Sequence, residues 1–261
     1  MPTRKPAPKR KSPVVQAARS PDREGSDKAP PKFTGFADSQ LSFFKALARH
    51  QDREWFTAHK SEYLEGWQGP MESLLYEVRA RVDDDFEYVE LAEPKVFRIY
   101  KDVRFAKDKS PYKTHVAGVL MARGRGASGV TEVPAALYIS VGIGDGGNMT
   151  AHGQYMMSPA QLERFRAALL DDERGGELAR NCAALEKAGF RMSAGDTLKK
   201  VPRGVDPDHP RAELLKRKGL VAMGPELPSA LLTSARLVDH LAKQTRKTAA
   251  LVSWLVKTTT I

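Results

Sequence analysis

Apolar side chains recur three or four residues apart in the first part of the chain, which is the spacing of one face of an α-helix. Ordered structure is expected to begin near Phe33, and Asp38 or Ser39 can cap a first helix that ends near Arg49. A second helical stretch follows, and Pro70 is expected to interrupt it because an interior proline removes a backbone donor. The apolar positions of these helices are Leu41, Phe44, Ala48, Trp55, Phe56, Tyr63, Met71, Leu74, Leu75, Val78 and Val82.

From Lys95 the period of the apolar residues changes to two, which is the period of a β-strand. One predicted face carries Phe97, Ile99, Val103 and Phe105, and the other carries Arg98, Tyr100, Asp102 and Arg104. The same alternation returns around Lys113 and His115, at 137–141 and at 150–154. The connections are short and lack a helical pattern, so the segments predict an antiparallel meander.

The C-terminal half returns to helical spacing. Ser158 and Gln161 form a capping box, and another helix is expected to end at Gly189. A long helix and a short last helix are predicted from Leu231, Leu232, Ala235, Val238 and Leu241, and from Leu251, Trp254 and Leu255. The pattern therefore predicts an α+β fold in one domain, residues 33–261, with an antiparallel sheet of about four or more strands flanked by N-terminal and C-terminal helices.

The net charge of +10 is unevenly distributed along the chain. Residues 1–32 contain nine Lys and Arg against three Asp and Glu, which leaves an excess of four for the remainder. This segment is rich in proline and has almost no large apolar residue, so we expect a disordered basic arm. Such an arm can hold a phosphate backbone, and it can equally be a solvated extension.

The single cysteine, Cys182, cannot form an internal disulfide, which favours a reducing compartment. No apolar run approaches the roughly 20 residues that span a bilayer, and the first residues lack the apolar stretch of a signal peptide. We therefore expect a cytoplasmic protein with no membrane association. Asp206, Asp208 and His209 could supply metal ligands, but the intervening prolines favour a rigid turn, and neither a metal nor a cofactor is predicted.

The most unusual segment is RIYKDVRFAKDKSPYKTH, Arg98 to His115, which holds six Lys and Arg and two Asp in 18 residues. Guanidinium and ammonium groups clustered around tyrosines and an imidazole suit an oxyanion, most naturally phosphate. Alternatively, Asp102 and Asp108 hold Arg104 and Lys107 in a structural ion-pair network. The candidate ligand-binding residues, including two from a second basic stretch, are Arg98, Tyr100, Asp102, Arg104, Lys107, Lys109, Tyr112, Lys113, Lys199 and His209.

Two histidines are candidates for catalysis. If the polar faces of the four predicted strands meet, His115 and His152 lie on one surface with Tyr138, Ser140 and Gln154. Two imidazoles flanked by Arg and Lys are the minimum for metal-free acid and base catalysis on a phosphodiester. A lone histidine is more often a hydrogen-bonded structural residue, so both interpretations remain open.

The chain resembles an uncharacterised family known as domain of unknown function 2461, from about Phe33 to the C-terminal helix. The resemblance rests on FTGF, REWFTAHKSEY, the 18-residue segment above, GQYMMSP and LKKVPRGVDPDHPRAELLKRK, in that order. The residues that match the family's two charged strings are Arg98, Asp102, Arg104, Lys107, Asp108, Lys109, Pro111, Tyr112, Lys113 and His115, and then Lys199, Pro202, Gly204, Asp208, His209 and Pro210. The departures are Lys101, Ala106, His152 and Val205. A mechanism that needs His152 would therefore not belong to the family, and the resemblance implies no activity.

Two functions compete at this point. In the first, a phosphate-bearing ligand, a nucleotide or nucleic acid, binds a basic polar sheet face, and metal-independent phosphoester chemistry at His115 is its enzymatic form. In the second, the chain is a non-catalytic scaffold or partner-binding module in which the charged strings form a buried ion-pair network. An open site favours the first function, and a closed network favours the second.

Overall fold

The computed structural model describes residues 30–86, 88–104, 106–124 and 133–260. All but the last three residues of the predicted arm, 1–32, lie outside this description, as does most of the glycine-rich segment 124–129. The described residues form the predicted α+β fold.

Seven strands of the described chain form one antiparallel sheet in the order β1-β3-β4-β5-β7-β6, with β2 also paired to β3. The strands are β1 (Val89–Leu91), β2 (Lys95–Val96), β3 (His115–Gly124), β4 (Ala135–Gly142), β5 (Met149–Gln154), β6 (Arg191–Ser193) and β7 (Leu220–Met223). The predicted meander corresponds to β3, β4 and β5. The short strands β1, β6 and β7 were not predicted.

The helices precede and follow the meander. They are α1 (Ser42–Arg49), α2 (Arg53–Ala58), α3 (Lys60–Tyr63), α4 (Gly69–Val82), α5 (Pro159–Leu170), α6 (Asp172–Lys187), α7 (Ala212–Leu215), α8 (Ser229–Leu232) and α9 (Arg236–Thr259). The capping box of Ser158 and Gln161 starts α5 as predicted. None of the helices in the described chain is both long and apolar enough to cross a membrane.

Two helix predictions were wrong. Pro70 does not interrupt the second helical stretch, because a π-helical turn, Leu64–Gln68, joins α3 to α4 and Gly69 N donates to the Leu64 carbonyl. The wider turn brings Pro70 into the first turn of α4, where its missing N–H costs nothing. The predicted long C-terminal helix is divided, because Leu231 and Leu232 lie in α8 and α9 starts at Arg236. From Arg236 on, the predicted long and short helices are one helix, since the polar residues between their apolar stripes remain helical.

The helices of residues 30–86 and 133–260 pack on one face of the sheet. Val116, Leu120, Leu137, Ile139 and Val141 on that face pack in one apolar cluster with the N-terminal helices and α9. A second cluster joins the same face at β6 and β7 to α5, α6 and α9. We call this the helix-facing side, and the opposite side the open face. The alternation along each strand thus decides which side chains are enclosed by helices.

Helix α4 approaches the sheet closely at Gly118. A Cβ at Gly118 would lie 2.5 Å from Leu75 Cδ1, on a fully buried side chain, and 3.1 Å from the Lys95 carbonyl oxygen. Gly118→Ala should therefore lower the free energy of unfolding by about 1 to 3 kcal/mol through overpacking, as measured by urea denaturation. Gly176→Ala is the control, since its Cβ would meet only the flexible end of Arg180 within α6, and it should be neutral or stabilising by up to about 1 kcal/mol. Equal stability of the two variants would contradict this account of the packing.

Candidate functional site

The charged segment 98–115 forms most of a hairpin that projects from the β2 edge of the sheet. Phe97 N donates to the Ala117 carbonyl at 2.8 Å, and Lys113 N donates to the Ile99 carbonyl at 2.7 Å. Tyr100 and Tyr112 form the last bridge before the tip. The predicted strand through 105 therefore shortens to β2 and this bridge. We call residues 97–115 the charged hairpin, with its tip at 102–110 and its base at the sheet.

The charges at the tip largely satisfy one another. Arg104 donates to both carboxylate oxygens of Asp102, at 3.0 and 2.7 Å, and this contact lowers the pKa of Asp102 to about 2. The two side chains are 70% and 46% exposed, so the buried ion pair expected for the structural alternative is not formed here. Solvent screening makes such an exposed pair a weak stabiliser.

Asp108 pairs with a different lysine from the one predicted. Its carboxylate accepts hydrogen bonds from the Ser110 hydroxyl at 2.6 Å and from Lys101 Nζ at 3.1 Å, and these contacts hold the pKa of Asp108 well below its usual range. Lys107 is exposed. Lys109 Nζ donates to the Val103 carbonyl at 3.0 Å. The turn geometry brings Asp108 back onto Lys101 rather than onto its sequence neighbour.

The two candidate tyrosines occupy different environments. Tyr112 is 3% exposed, and its ring stacks on Phe56 with centroids 4.4 Å apart. Tyr100 is about half exposed and lies beside it. Tyr112 is therefore a core residue that anchors the hairpin to α2, and only Tyr100 has a large surface open to a ligand.

The base of the hairpin carries cations without carboxylate partners. Lys113 Nζ donates to the Arg98 carbonyl at 3.0 Å and lies 5.9 Å from the centroid of the Phe97 ring. Partial burial, and then the charge of Arg98, lowers the pKa of Lys113. Among the described residues, no ion pair involves Arg98 or Lys113. The two like charges therefore repel each other, and although Arg98 also acts on the Asp102 carboxylate through its charge, a bound anion would offset the repulsion at Lys113.

His115 begins β3 two residues after Lys113. Its ring lies so close to Gly146 that an added Cβ there would clash with the imidazole. Burial, followed by the charges of Lys113 and Lys101, lowers the pKa of His115 to about 4. Its ring takes part in no hydrogen bond within the described chain. His115 is therefore a neutral imidazole at pH 7, able to accept a proton or a hydrogen bond.

His152 does not join His115, so the predicted two-histidine surface was wrong. His152 is fully buried on the helix-facing side, where its Nδ1 donates to the Ala136 carbonyl at 2.6 Å. Burial lowers the pKa of His152 to about 4. The neighbouring polar positions on β5 also point to helices, because Thr150 bonds Gln244 and Gln154 accepts from Thr259, both on α9. A polar strand face was thus mistaken for a surface.

The second basic stretch lies near the other edge of the sheet. It connects β6 to β7, whereas the hairpin leaves the β2 and β3 edge, with β4 and β5 between. Four strand spacings of about 4.8 Å separate β3 from β6. Lys199 is exposed, and His209 Nδ1 accepts from Arg211 N at 3.0 Å. Neither residue belongs to the cluster at the hairpin base, so the two predicted strings do not form one compact site.

Tyr138 and Ser140, in contrast, do lie on the same face as His115. The ring of Tyr138 is half-buried and faces Phe97, with centroids 6.2 Å apart. Burial raises the pKa of Tyr138, and a hydrogen bond with Ser140 partly offsets this. The Ser140 hydroxyl donates to the Gly146 carbonyl at 2.5 Å. The hairpin base therefore combines cations, a neutral imidazole and two adjacent aromatic rings.

The described residues include no group of three or more His, Cys, Asp or Glu that could hold a metal ion. Sequence reasoning also missed a stack in which Trp55 lies between His50 and His59, with ring centroids 5.5 and 4.0 Å away. Its signal was the i, i+4 spacing of Trp55 and His59 on one helical face.

A family model described as a conserved hypothetical protein, DUF2461, matches residues 39–254, which is most of the chain. The resemblance inferred from the motifs is therefore confirmed. No curated protein and no solved structure matches the chain.

The burial of His152 makes the fold sensitive to acid. Its folded pKa of about 4 lies below the ordinary value of 6.5, so the unfolded chain binds more protons between these values. The stability that depends on a neutral His152 is fully present above about pH 6.5 and is lost as the pH falls toward 4. His152→Asn keeps a donor for the Ala136 carbonyl but cannot be protonated.

Between pH 7 and pH 5 the wild type should lose about 2 kcal/mol more stability than His152→Asn. Urea denaturation at both pH values measures this difference, and the cavity left by the smaller side chain cancels because it is present at both. Equal losses in the two proteins would show that His152 is not the acid-sensitive group.

Proposed function

The chain belongs to the DUF2461 family of conserved hypothetical proteins, and we propose that it binds a phosphate-bearing ligand, a nucleotide or nucleic acid, at the base of the charged hairpin. The proposal concerns Arg98, Lys113 and His115, together with the rings of Phe97 and Tyr138. The tip of the hairpin is not part of it.

The observation that carries this proposal is that Lys113 has no carboxylate partner among the described residues. A partly buried ammonium group is costly unless an opposite charge compensates it. Here the charge that contributes to the lowered pKa of Lys113 is that of another cation, Arg98, and the ammonium contacts a carbonyl and the face of a ring. A phosphate between the two cations would remove their repulsion and receive charge-assisted hydrogen bonds from both.

His115 gives the site a second property. Its pKa is lowered by burial and by two lysines, so a bound phosphate would reverse part of that effect. In the enzymatic form of the proposal, the neutral imidazole takes a proton from a water molecule as the water oxygen bonds to phosphorus, and the cations stabilise the charge that develops on the phosphorus-bound oxygens. The P–O ester bond then breaks, and the leaving oxygen takes the proton back from the imidazolium and departs as an alcohol. Because His152 lies in the core, His115 serves first as the base and then as the acid, in place of the pair of histidines expected from the sequence.

A scaffold role is the second candidate, and the tip of the hairpin favours it. Asp102 with Arg104, and Asp108 with Lys101 and Ser110, are satisfied within the tip itself. These contacts fix the loop without any ligand. Arg98 acts on Asp102 through its charge but forms no ion pair with it, and Lys113 forms no ion pair in the described chain, so the tip leaves these two cations for an anion.

Arg98→Gln and Lys113→Gln should each weaken the binding of a mononucleotide by about 10-fold or more, because each removes one charge-assisted contact. Isothermal titration with inorganic phosphate and a panel of mononucleotides, at several salt concentrations, measures the effect. Lys187→Gln removes an equal charge from the exposed end of α6 and should leave the affinity unchanged. An equal loss in Lys187→Gln, or no binding by the wild type at any salt concentration, would contradict the proposal.

Phosphate should raise the pKa of His115 by about 1 to 3 pH units, because an anion within a few ångströms favours the charged imidazolium. NMR titration of the histidine ring resonances with and without inorganic phosphate tests this. His209 lies at the far edge of the sheet, and its resonances should not respond. A His115 titration that is the same in both conditions would remove the imidazole from the site.

A further inference from the structure

One row of side chains crosses the open face in register through six strands. The strand pairings align Lys95 with Val119, Val119 with Tyr138, Tyr138 with Ala151, Ala151 with Met223 and Met223 with Arg191. Five strand spacings separate its two ends, which is about 24 Å. The row therefore has a cation at each end and an apolar, aromatic centre.

The two neighbouring rows on this face are also mostly apolar. On the side of the hairpin base lie Phe97, Ala117, Ser140 and Met149. On the other side lie Met121, Ala135, Gly153, Val221 and Ser193. The solvated face of an antiparallel sheet normally alternates to polar residues, so this composition is unusual.

No helix of the described chain covers this face. The sheet residues of both apolar clusters lie on the helix-facing side, and Val119, Tyr138, Ala151 and Val221 belong to neither cluster. Val119 and Val221 are each 5% exposed and form a buried floor of this face. The larger side chains around them, including Phe97, Tyr138 and Met223, are partly buried and supply the apolar surface that a partner can contact. Connected apolar surface of this kind usually marks an interaction site.

The charges around the face indicate what binds there. Among the described strand residues that point to this face, Glu90 is the single carboxylate, and it lies opposite Arg123. Lys95 and Arg191 end the row, and Lys113 lies beside it over the ring of Phe97. A twofold contact with a second copy would bring one excess of positive charge against another, which disfavours self-association.

We propose that the open face is a platform for single-stranded RNA. This inference depends on the proposed phosphate site at the hairpin base. Unpaired bases stack on exposed rings of a sheet, and their phosphates lie near basic side chains at its edges. Phe97 and Tyr138 supply the stacking surface, the methionines extend it, and Arg191 receives a phosphate at the far end. A duplex would not fit, since its bases are stacked on one another and a flat sheet cannot enter its grooves.

The test measures fluorescence anisotropy of a labelled single-stranded RNA of about 10 nucleotides, beside the mononucleotide titration described above. Tyr138→Leu keeps the apolar contact but removes the ring, and it should weaken RNA binding by about 5- to 100-fold. Arg191→Gln changes an exposed side chain and should lower the slope of affinity against salt by about 0.7. Arg191→Gln should leave mononucleotide affinity unchanged, because the hairpin base is several strands away.

Matched controls separate these effects from general damage. Tyr88→Leu and Lys187→Gln remove a ring and a charge elsewhere on the molecule, and both should bind RNA as the wild type does. Thermal unfolding of each variant establishes that it is folded. If Tyr138→Leu does not fold, Arg191→Gln alone tests the RNA platform.

Each outcome decides between distinct conclusions. RNA binding that falls in Arg98→Gln but is unchanged in Tyr138→Leu and Arg191→Gln overturns the platform and leaves the phosphate site standing. Unchanged binding in Arg98→Gln and Lys113→Gln, for RNA and mononucleotide alike, overturns the phosphate site. Stronger binding of DNA of the same sequence overturns the assignment to RNA. A wild-type dimer, measured by light scattering, that Met223→Glu dissociates assigns the face to a second copy instead.

Discussion

The packing of α4 and α9 against one face of the sheet determines the chemistry of every strand. Gly118 lets α4 approach closely, and α9 lies across β3, β4 and β5 on the same side. Because strand residues alternate between faces, this contact fixes which side chains are enclosed and which are left on the open face. His115 and His152 have the same residue type and a similarly lowered pKa. One nevertheless lies beside a cluster of cations, and the other lies in the core.

The order of the elements and the central meander follow from hydrophobic periodicity, which is strong in β3, β4 and β5. Periodicity does not show which side chains of β5 point to the helices. Thr150, His152 and Gln154 alternate as a solvated strand face would, and their polar partners Gln244 and Thr259 are about a hundred residues away in the sequence. Local pattern cannot distinguish a polar side chain in water from one that meets a distant helix. The row from Lys95 to Arg191 escaped prediction for the same reason, since its register joins strands that are far apart in the chain.

The charged segment was identified by composition, but composition does not specify pairing. Asp108 bonds Lys101 and Ser110 because the turn folds it back on them, while Lys107 next to it is exposed. The same string therefore contains a self-satisfied tip and an unsatisfied base. Anion binding and a structural network, which were alternatives for the whole segment, apply to different parts of it. The ion-pair part is exposed and weak, so it accounts for the shape of the loop more than for the stability of the domain.

The unbroken length of α9 links the two halves of the molecule. Its 24 residues extend about 36 Å, and its apolar side chains enter both clusters, Leu241 in the first and Trp254 in the second. Neither half can lose its cluster without removing the support of a helix that the other half also needs. Opening of the core amides should accordingly be cooperative across the sheet, with slow hydrogen exchange at β3 and at β7 governed by one shared unfolding event rather than by two independent ones.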